Sequence, residues 1–315
     1  MEEKNSRVFI DSITNLDIDG VISVPKTDLH NHASLGMSRE RFIETKFKYF
    51  KFSKVNSFEE MKKFINEKYG YLLKNKYVNL SLIEGTILAA IDDGVELLEC
   101  SIDFGLLEKF SFDYDLVYSI LVHFKELYKD RINIKYDLGI SRRRYHKEWN
   151  DKIIEAINLN IFNALDLYGD EKYKPYEELK IIYQYAKSNG LKLKAHIGEF
   201  SPCEDILSII NQLDLDVIQH GISITSSPLV MKELRNRKIV FNVCCTSNYM
   251  LGSVNNIAKH PIRKMFDSGI IVTINSDDQL LFNSSVSREY IKLYVKKVFN
   301  AEELNEIRKN GFIYN

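Results

Sequence analysis

The chain has 315 residues, of which 45% are hydrophobic and 28% are charged, and its formal net charge is -1. This composition is typical of a soluble globular protein, and a nearly neutral chain is not expected to hold nucleic acid through its phosphates. The sequence contains no apolar run of the ~18 residues that a membrane span needs, and its start, MEEKNSRVF, does not resemble a secretory signal. We therefore predict a cytoplasmic protein with neither a nucleic-acid nor a membrane partner.

Eight short apolar runs rich in β-branched residues follow one another along the chain, and longer helical patterns separate them. This alternation indicates βαβ units and a parallel sheet. Eight strands in about 300 residues favour a closed (β/α)8 TIM barrel over an open doubly wound sheet. Because no linker interrupts the pattern, residues 1–315 are expected to form one domain. The predicted strands are Lys26–Asn31, Val95–Phe104, Asn133–Ile140, Phe162–Tyr168, Leu191–Ile197, Leu215–His220, Lys238–Cys244 and Gly269–Asn275.

The longest predicted connection follows the first strand and runs from about Gly36 to Gly94. It contains at least two helices, and Ser57 with Glu60 forms a capping-box pattern before one of them. A long insertion on the carboxyl side of a barrel strand is where lids and binding loops usually lie. We therefore expect this helical insertion to border the functional site.

Side chains that can bind a metal ion collect at the predicted strand ends, where a barrel builds its active site. His30 and His32 end the first strand, and because strand side chains alternate, both rings lie on one face. His196 ends the fifth strand, His220 ends the sixth, and Asp277 follows the eighth. Three imidazoles and one carboxylate, with one position left for water, are typical ligands of a catalytic zinc. We predict that His30, His32, His196 and Asp277 bind one Zn²⁺ per chain.

Cysteine is not expected to contribute to this site. None of the four cysteines belongs to a CxxC pair, so the sequence offers no thiolate metal motif. Cys244 and Cys245 are adjacent in an apolar run and are expected to be small buried hydrophobic residues.

At these residues the chain resembles the adenosine deaminase family, within the metal-dependent amidohydrolases. The resemblance implies a zinc-dependent barrel enzyme of purine salvage that converts a 6-aminopurine nucleoside, such as adenosine, deoxyadenosine or a 5′-modified adenosine, to the 6-oxo purine and ammonia. The matching segments span almost the whole chain in the family's order: PKTDLHNH (25–32), LDLYGDE (165–171), AHIGE (195–199), IQHG (218–221), VCCTSNYMLG (243–252) and NSDD (275–278).

The resemblance also implies a role for each polar residue of the site. Glu199 would protonate N1 of the purine, which requires a raised carboxyl pKa. His220 would orient the water bound by zinc and could act as its base. Asp277 would bind zinc and accept a hydrogen bond from that water. Asp278 would meet N7, and the main-chain N–H of Gly169 would meet N3. The structural alternatives are a solvated loop acid at 199, a core histidine at 220 and a turn glycine at 169.

The residues expected around the ribose depart from the family pattern. The family follows its HxH with Leu-Asp-Gly, whose Asp contacts the 5′-hydroxyl, whereas this chain has Ala33-Ser34-Leu35-Gly36. Ser34 would therefore lie near the 5′ end, where a phosphate, a methylthio group or a larger substituent becomes conceivable. Phe58, Met61 and Ile65 lie at helical spacing in the insertion, where the family's helix lines the substrate entrance; ordinary core packing is the alternative.

Three further departures have no assigned consequence. Ser101 stands where the family usually has Arg, two residues after Glu99, and Ile197 replaces Ala beside a metal ligand. The run Arg142-Arg143-Arg144 follows the third strand. Its guanidinium groups could hold a 5′-phosphate, or they could form an ordinary surface paired with carboxylates.

Three rival functions remain to be weighed. A deaminase of an adenine nucleotide, such as AMP or an N6-substituted AMP, would keep the fold and the metal. A two-zinc amidohydrolase would need a Lys or Glu at the end of strand four, which here ends Ala164-Leu165-Asp166-Leu167-Tyr168. A catalytically silent nucleoside-binding protein predicts erosion of the acid, the base or the ligands, and the sequence retains all of them.

Overall fold

The computed structural model describes residues 2–45 and 47–314 and contains eight parallel strands that are paired in chain order. Strand pairing is least extensive between the last and the first strand, where the described residues form one bridge, between Asn31 and Asp277. The predicted (β/α)8 barrel is therefore confirmed, in a nearly closed form. The strands β1 to β8 are Lys26–His32, Val95–Asp103, Asn133–Ser141, Phe162–Tyr168, Lys192–Ile197, Val217–His220, Val240–Val243 and Ile271–Ile274.

Helices surround the barrel and also precede and follow it. The described part of the chain contains α1 to α17 and a short π-helix, Ile65–Tyr69, between α4 and α5. The α-helices are Glu2–Asn15, Ile18–Ile22, Arg39–Glu44, Phe58–Phe64, Gly70–Leu73, Lys76–Asp92, Phe104–Lys109, Tyr114–Tyr128, Asn150–Ile157, Tyr176–Ser188, Cys203–Leu213, Pro228–Asn236, Cys245–Met250, Ile262–Asp267, Gln279–Phe282, Val286–Val295 and Ala301–Ile313. Within the described residues, no helix is both long enough and apolar enough to cross a membrane.

All eight predicted strands exist, but several end one or two residues from the predicted bounds. Phe104 begins α7 instead of ending β2, because the Asp103 carboxylate accepts a hydrogen bond from the Gly105 N–H and caps that helix. Lys238 and Gly269 precede β7 and β8 in left-handed turns, with φ of 57° and 75°. A left-handed residue cannot continue a strand, so these two strands begin later than predicted.

The barrel interior contains a buried cluster of three charged side chains. The Lys194 ammonium on β5 forms ion pairs with Glu99 on β2 and with Asp137 on β3, the latter at 2.7 Å. All three residues are nearly inaccessible to solvent. Glu99 thus pairs with Lys194, a residue of another strand.

The long connection after β1 forms a helical cover over the carboxyl ends of the strands. It comprises α3 to α6 and has its own apolar cluster, which includes Phe42, Phe64 and Tyr69. Ser57 caps α4 by accepting from the Glu60 N–H at 3.2 Å, as the sequence predicts. The second half of the predicted capping box differs, because the Glu60 carboxylate accepts from the Asn56 N–H instead of from Ser57. The predicted helical insertion is thus confirmed.

Candidate active site

Four side chains from β1, β5 and the loop after β8 converge at the carboxyl end of the barrel. Nε2 of His196 lies 3.0 Å from Nε2 of His30 and 3.2 Å from Nε2 of His32. Oδ1 of Asp277 lies 3.7 Å from Nε2 of His30 and 3.6 Å from Nε2 of His32. These are the four residues predicted as metal ligands, and the fold brings them together.

The ring nitrogens that meet in this group face one another with lone pairs instead of hydrogens. Nδ1 of His196 lies 3.2 Å from Oδ1 of Asp166, and Nδ1 of His30 lies 3.5 Å from the main-chain oxygen of Asn242. Each Nδ1 therefore carries the hydrogen, and each Nε2 presents a lone pair. Burial lowers the pKa of His30 well below its ordinary value and that of His32 to about 4, so both rings are neutral. Lone pairs 3 Å apart repel unless a cation lies between them, so the donor set fits a divalent metal.

The metal-capable side chains extend beyond the predicted four. Atoms that can bind a metal lie within 4.8 Å of one another in three overlapping groups: His30 with His196 and His220, His30 with Cys244 and Asp277, and His32 with Asp277 and Asp278. Burial raises the pKa of the Cys244 thiol well above its ordinary value, so this residue remains a neutral thiol. It is the small buried residue that the sequence predicts.

Two of the site residues adopt strained backbone conformations. His220 has φ of 66° and Asp277 has φ of 58°, which are uncommon values for residues that carry a Cβ atom. Such conformations persist where the surrounding structure enforces them, and they concentrate at functional sites. At Asp277 the main-chain N–H donates to the His30 oxygen at 3.0 Å, which fixes the turn and aims the carboxylate at the imidazoles.

The two remaining carboxyl groups of the site, Glu199 and Asp278, are buried and close to Asp277. Burial, together with the charge of Asp277, raises the pKa of Glu199 well above its ordinary value. The same two causes raise the pKa of Asp278. A raised pKa favours the protonated form of a carboxyl group, and that form can donate a hydrogen bond or a proton to a ligand.

The loop that carries Glu199 is held in place by another carboxylate, Glu171. Its two oxygens accept hydrogen bonds from four successive main-chain N–H groups, those of residues 198–201, at 2.9 to 3.2 Å. Glu171 lies in the segment LDLYGDE, so the motif was visible in the sequence, but its function was not. This carboxylate fixes the path of the loop and thereby the position of Glu199.

A cavity of about 710 Å³ lies above these residues, and the predicted substrate-binding residues line it. The helical cover contributes one wall, and residues at or after the carboxyl ends of β2, β3, β4, β5 and β8 contribute the others. His30 lies beneath the cavity floor and is almost fully buried. The predicted site residues on the cavity wall are His32, Ser34, Phe58, Met61, Ile65, Gly169, His196, Glu199, His220, Asp277 and Asp278.

The three consecutive arginines occupy three different environments. Arg142 is buried, and its guanidinium donates to the Tyr173 oxygen at 3.2 Å and to the oxygen of His196. Arg144 pairs with Glu108 at 2.9 Å and lies 3.7 Å from Asp103. Arg143 is exposed and lines the outer cavity. Arg142 is thus structural, and Arg144 matches the carboxylate-paired alternative.

Two polar residues behind the site were not assigned chemistry from the sequence. The Asn248 amide contacts both Glu199 and His220, and the His260 ring contacts that amide. Asn248 belongs to the segment VCCTSNYMLG, and His260 lies in a loop far along the chain. Their positions depend on how β6, β7 and the following loops approach one another, which no local pattern reveals.

Comparison with known proteins assigns the family. A sequence model of adenosine deaminase matches residues 75–313. A protein of Treponema pallidum that is named as a candidate adenosine/adenine deaminase is 33% identical over 85% of this chain and 90% of its own length. An adenosine deaminase of Plasmodium gallinaceum is 28% identical over 89% of this chain and 83% of its own length.

Comparison of structures agrees on the fold. The crystal structure of an amidohydrolase from Burkhoderia ambifaria, which contains bound zinc, superposes with a TM-score of 0.78. It covers 94% of this chain and 86% of that protein, at 19% identity. From the family match, the near-full-length relative and the converging ligand set, we conclude that this chain belongs to the adenosine deaminase family of the amidohydrolase superfamily and is a hydrolase that acts on C–N bonds.

Proposed function

We propose that the chain removes the 6-amino group of an adenine nucleoside and releases the 6-oxo purine and ammonia. Adenosine, 2′-deoxyadenosine and 5′-modified adenosines are the proposed substrates, and Zn²⁺ is the proposed metal. The observation that carries this proposal is the position of Glu199. Its carboxyl group, whose pKa is raised, lines the same cavity as His32, His196 and Asp277. An acid and a metal-binding group would therefore face the same part of a bound substrate.

The reaction needs a proton donor at the purine ring and water at C6. A zinc ion held by His30, His32, His196 and Asp277 would supply hydroxide at neutral pH by lowering the pKa of a coordinated water. Glu199 would donate its proton to N1, which makes C6 electrophilic. The oxygen of water would form a bond to C6, and N1 would keep the proton that it received. One proton of the water would pass to the amino group, which leaves as ammonia when the C6–N bond breaks, and the other would restore the Glu199 carboxyl group.

The remaining groups would hold the purine in register. Burial and the charge of Asp277 raise the pKa of Asp278, which favours a protonated carboxyl group that would donate a hydrogen bond to the lone pair of N7. Gly169 has φ of 98° and lines the cavity, and the main-chain N–H there would donate to N3. His220, with Nε2 at 3.9 Å from Oδ2 of Asp277, would orient the attacking water.

The size of the cavity favours a nucleoside over free adenine, and the ion pairs of two of the cations at its wall favour a nucleoside over a nucleotide. Its volume of about 710 Å³ lies in the upper part of the range for small-molecule sites, which leaves room for a sugar beside the base. Two of the cations at its wall are already paired, Lys62 with Asp170 and Arg144 with Glu108. Ser34 lines the cavity without adding charge at the proposed 5′ end.

An adenine nucleotide is the second candidate, and Arg143 is the observation that favours it. This side chain lines the outer cavity, is exposed, and forms no ion pair with the described residues. An exposed guanidinium without an ion-pair partner could bind a phosphate by donating two parallel hydrogen bonds to it.

An ammonia-release assay with zinc-loaded protein tests the proposal. The panel is adenosine, 2′-deoxyadenosine, 5′-methylthioadenosine, AMP, N6-methyl-AMP and adenine. We expect the highest kcat/KM with one of the nucleosides. A kcat/KM for AMP or N6-methyl-AMP above that of every nucleoside would instead assign the nucleotide, and the Arg143→Ala variant should then lose that preference. Binding of nucleosides without ammonia release from any compound would identify a silent binding protein.

A further inference from the structure

Behind the proposed acid lies a short chain of buried polar side chains formed by Asn248 and His260. Asn248 is 0% exposed and His260 is 1% exposed. Asn248 lies on α13 after β7, and His260 lies just before α14. Together they connect the main-chain N–H group of Ile262 to two side chains that line the cavity, Glu199 and His220.

The donor and acceptor of each contact follow from the first one. The Ile262 N–H donates to Nδ1 of His260 at 3.1 Å, and a main-chain N–H can only donate. Nδ1 must therefore be the acceptor, and the hydrogen of the neutral ring lies on Nε2. That Nε2 is 3.2 Å from Oδ1 of Asn248. His260 thus donates to the amide oxygen and fixes which way the amide points.

With its oxygen held by His260, the Asn248 amide directs both of its hydrogens at the site. Nδ2 lies 2.6 Å from Oε1 of Glu199 and 3.1 Å from Nδ1 of His220. Oε1 accepts a hydrogen bond from this amide, so a proton on the Glu199 carboxyl group would lie on Oε2. Nδ1 of His220 also accepts, so the hydrogen of that ring lies on Nε2.

The two hydrogens placed in this way both face the reaction site. Nε2 of His220 lies 3.6 Å from Oε2 of Glu199 and 3.9 Å from Oδ2 of Asp277, which is a predicted metal ligand. A reversed amide would place its oxygen against the Glu199 carboxyl group and would favour a hydrogen on Nδ1 of His220. The ring would then present a lone pair instead of a donor to the site.

We propose that Asn248 and His260 are positioning residues for the deamination: His260 orients the Asn248 amide, and that amide selects the oxygen of Glu199 that carries the proton and the tautomer of His220. The part that concerns turnover rests on the proposed function. The tautomer of His220 is a property of the folded protein without substrate, and it can be measured separately.

The direct test is NMR of zinc-loaded protein labelled with ¹⁵N in its histidine rings. Two-bond ¹⁵N–¹H correlations report which nitrogen of each ring is protonated, and seven histidines keep the spectrum tractable. We expect His220 and His260 to be protonated at Nε2. In Asn248→Asp, which has the same shape but no amide hydrogens, His220 should change to the Nδ1-protonated form. Protonation of His220 at Nδ1 in the wild type, or an unchanged tautomer in Asn248→Asp, would overturn the proposal.

A kinetic test compares two replacements of His260. His260→Gln keeps a side-chain N–H donor, whereas His260→Leu removes it. We expect His260→Leu to lower kcat by about 10- to 100-fold with little change in KM, the usual effect of removing a group that orients an active-site residue, and His260→Gln to recover most of this loss. Zinc content should be unchanged in both. Equal losses of kcat in the two variants would contradict the proposal.

A matched control is available in the same loop. The Ser253 hydroxyl donates to the main-chain oxygen of Asn248 at 3.0 Å and does not contact its amide. Ser253→Ala should therefore retain wild-type kcat and the wild-type His220 tautomer. Because the NMR result requires no substrate, it can fail in an active deaminase, and it can hold in a protein that releases no ammonia. Failure of this inference and failure of the proposed function are thus distinguishable.

Discussion

Glu199 combines two properties that the proposed chemistry requires, a fixed position and a raised pKa. The position comes from Glu171, which binds the main-chain N–H groups of the Glu199 loop. The raised pKa comes from burial and from the nearby Asp277 charge. A carboxyl group that is neutral near pH 7 and held against the substrate can act as a general acid.

The Glu199→Gln variant should therefore retain its metal and lose most of its turnover. Glutamine has the same shape and can still accept a hydrogen bond from Asn248, but it has no acidic proton to donate. We expect kcat to fall by about 10²- to 10⁴-fold, the typical contribution of general acid catalysis, in an ammonia-release assay. Glu204→Gln, on the exposed first turn of α11, is the matched control and should behave as the wild type. Turnover of Glu199→Gln near the wild-type rate would refute the role as acid.

At the scale of single residues, spacing along the chain predicted which side chains converge on the proposed metal site but not the residues that orient them. His30 and His32 alternate on one strand, so their shared face follows from strand geometry alone. Asn248 reaches Glu199 across 49 residues of sequence, and Asp166 reaches His196 across 30. Such hydrogen bonds depend on the packing of separate loops and strands, so they became visible only in the structure. The same limit applied to Lys194, which reaches Glu99 across 95 residues.

Among the elements, β2, β3 and β5 are joined inside the barrel by the Lys194 ion pairs. Burial lowers the pKa of Lys194, but Asp137 and Glu99 outweigh that effect and raise it above its ordinary value. Burial raises the pKa of Asp137 to about 7, against the opposing charge of Lys194. Each charge in this cluster is tolerated because its partner is present.

Removal of the cation should destabilise the fold strongly. We expect Lys194→Met to lower the free energy of unfolding by about 3–5 kcal/mol, because two buried carboxyl groups lose their partner. Urea unfolding followed by circular dichroism measures this loss. The triple variant that adds Glu99→Gln and Asp137→Asn should recover part of it, since no buried charge is then unpaired. An unchanged urea midpoint in Lys194→Met would show that the cluster does not stabilise the barrel.

The helical cover is connected to the barrel loops by two contacts at the cavity mouth. Lys62 on α4 pairs with Asp170 after β4 at 3.1 Å, and the Phe58 ring lies 5.0 Å from the Phe200 ring after β5. The π-helix Ile65–Tyr69 follows directly and marks a local irregularity of the kind often found near functional sites. These contacts hold the cover above the proposed substrate.

Loss of the Lys62 ion pair should weaken substrate binding without affecting the chemical step. Since partly exposed ion pairs contribute at most about 1 kcal/mol, Lys62→Ala should raise KM by about fivefold or less and leave kcat nearly unchanged. Steady-state kinetics with the preferred nucleoside measures both constants. The exposed neighbour gives the matched control, Lys63→Ala, which should change neither. A large fall in kcat with KM unchanged would place Lys62 in the chemistry instead of in the cover.

For the whole molecule, the order and number of the strands were predictable because each strand is a short buried run with a clear period. The extent of closure was not predictable. The seam between β8 and β1 depends on a bridge from Asn31 to Asp277, and Asp277 lies beyond the end of β8 in a left-handed turn. This same turn directs the carboxylate of Asp277, a proposed metal ligand, at the imidazoles of β1. The bridge that closes the barrel therefore also assembles the proposed metal site.

We propose that one metal ion is bound by four side chains that meet where the barrel closes. An anomalous difference map at the zinc edge, from crystals of the zinc-loaded protein, would locate this ion. We predict one peak per chain, at about 2.0–2.2 Å from Nε2 of His30, His32 and His196 and from a carboxylate oxygen of Asp277. A metal peak elsewhere in the chain, a second peak within the same site, or no peak among these four side chains would refute a single metal ion bound by them.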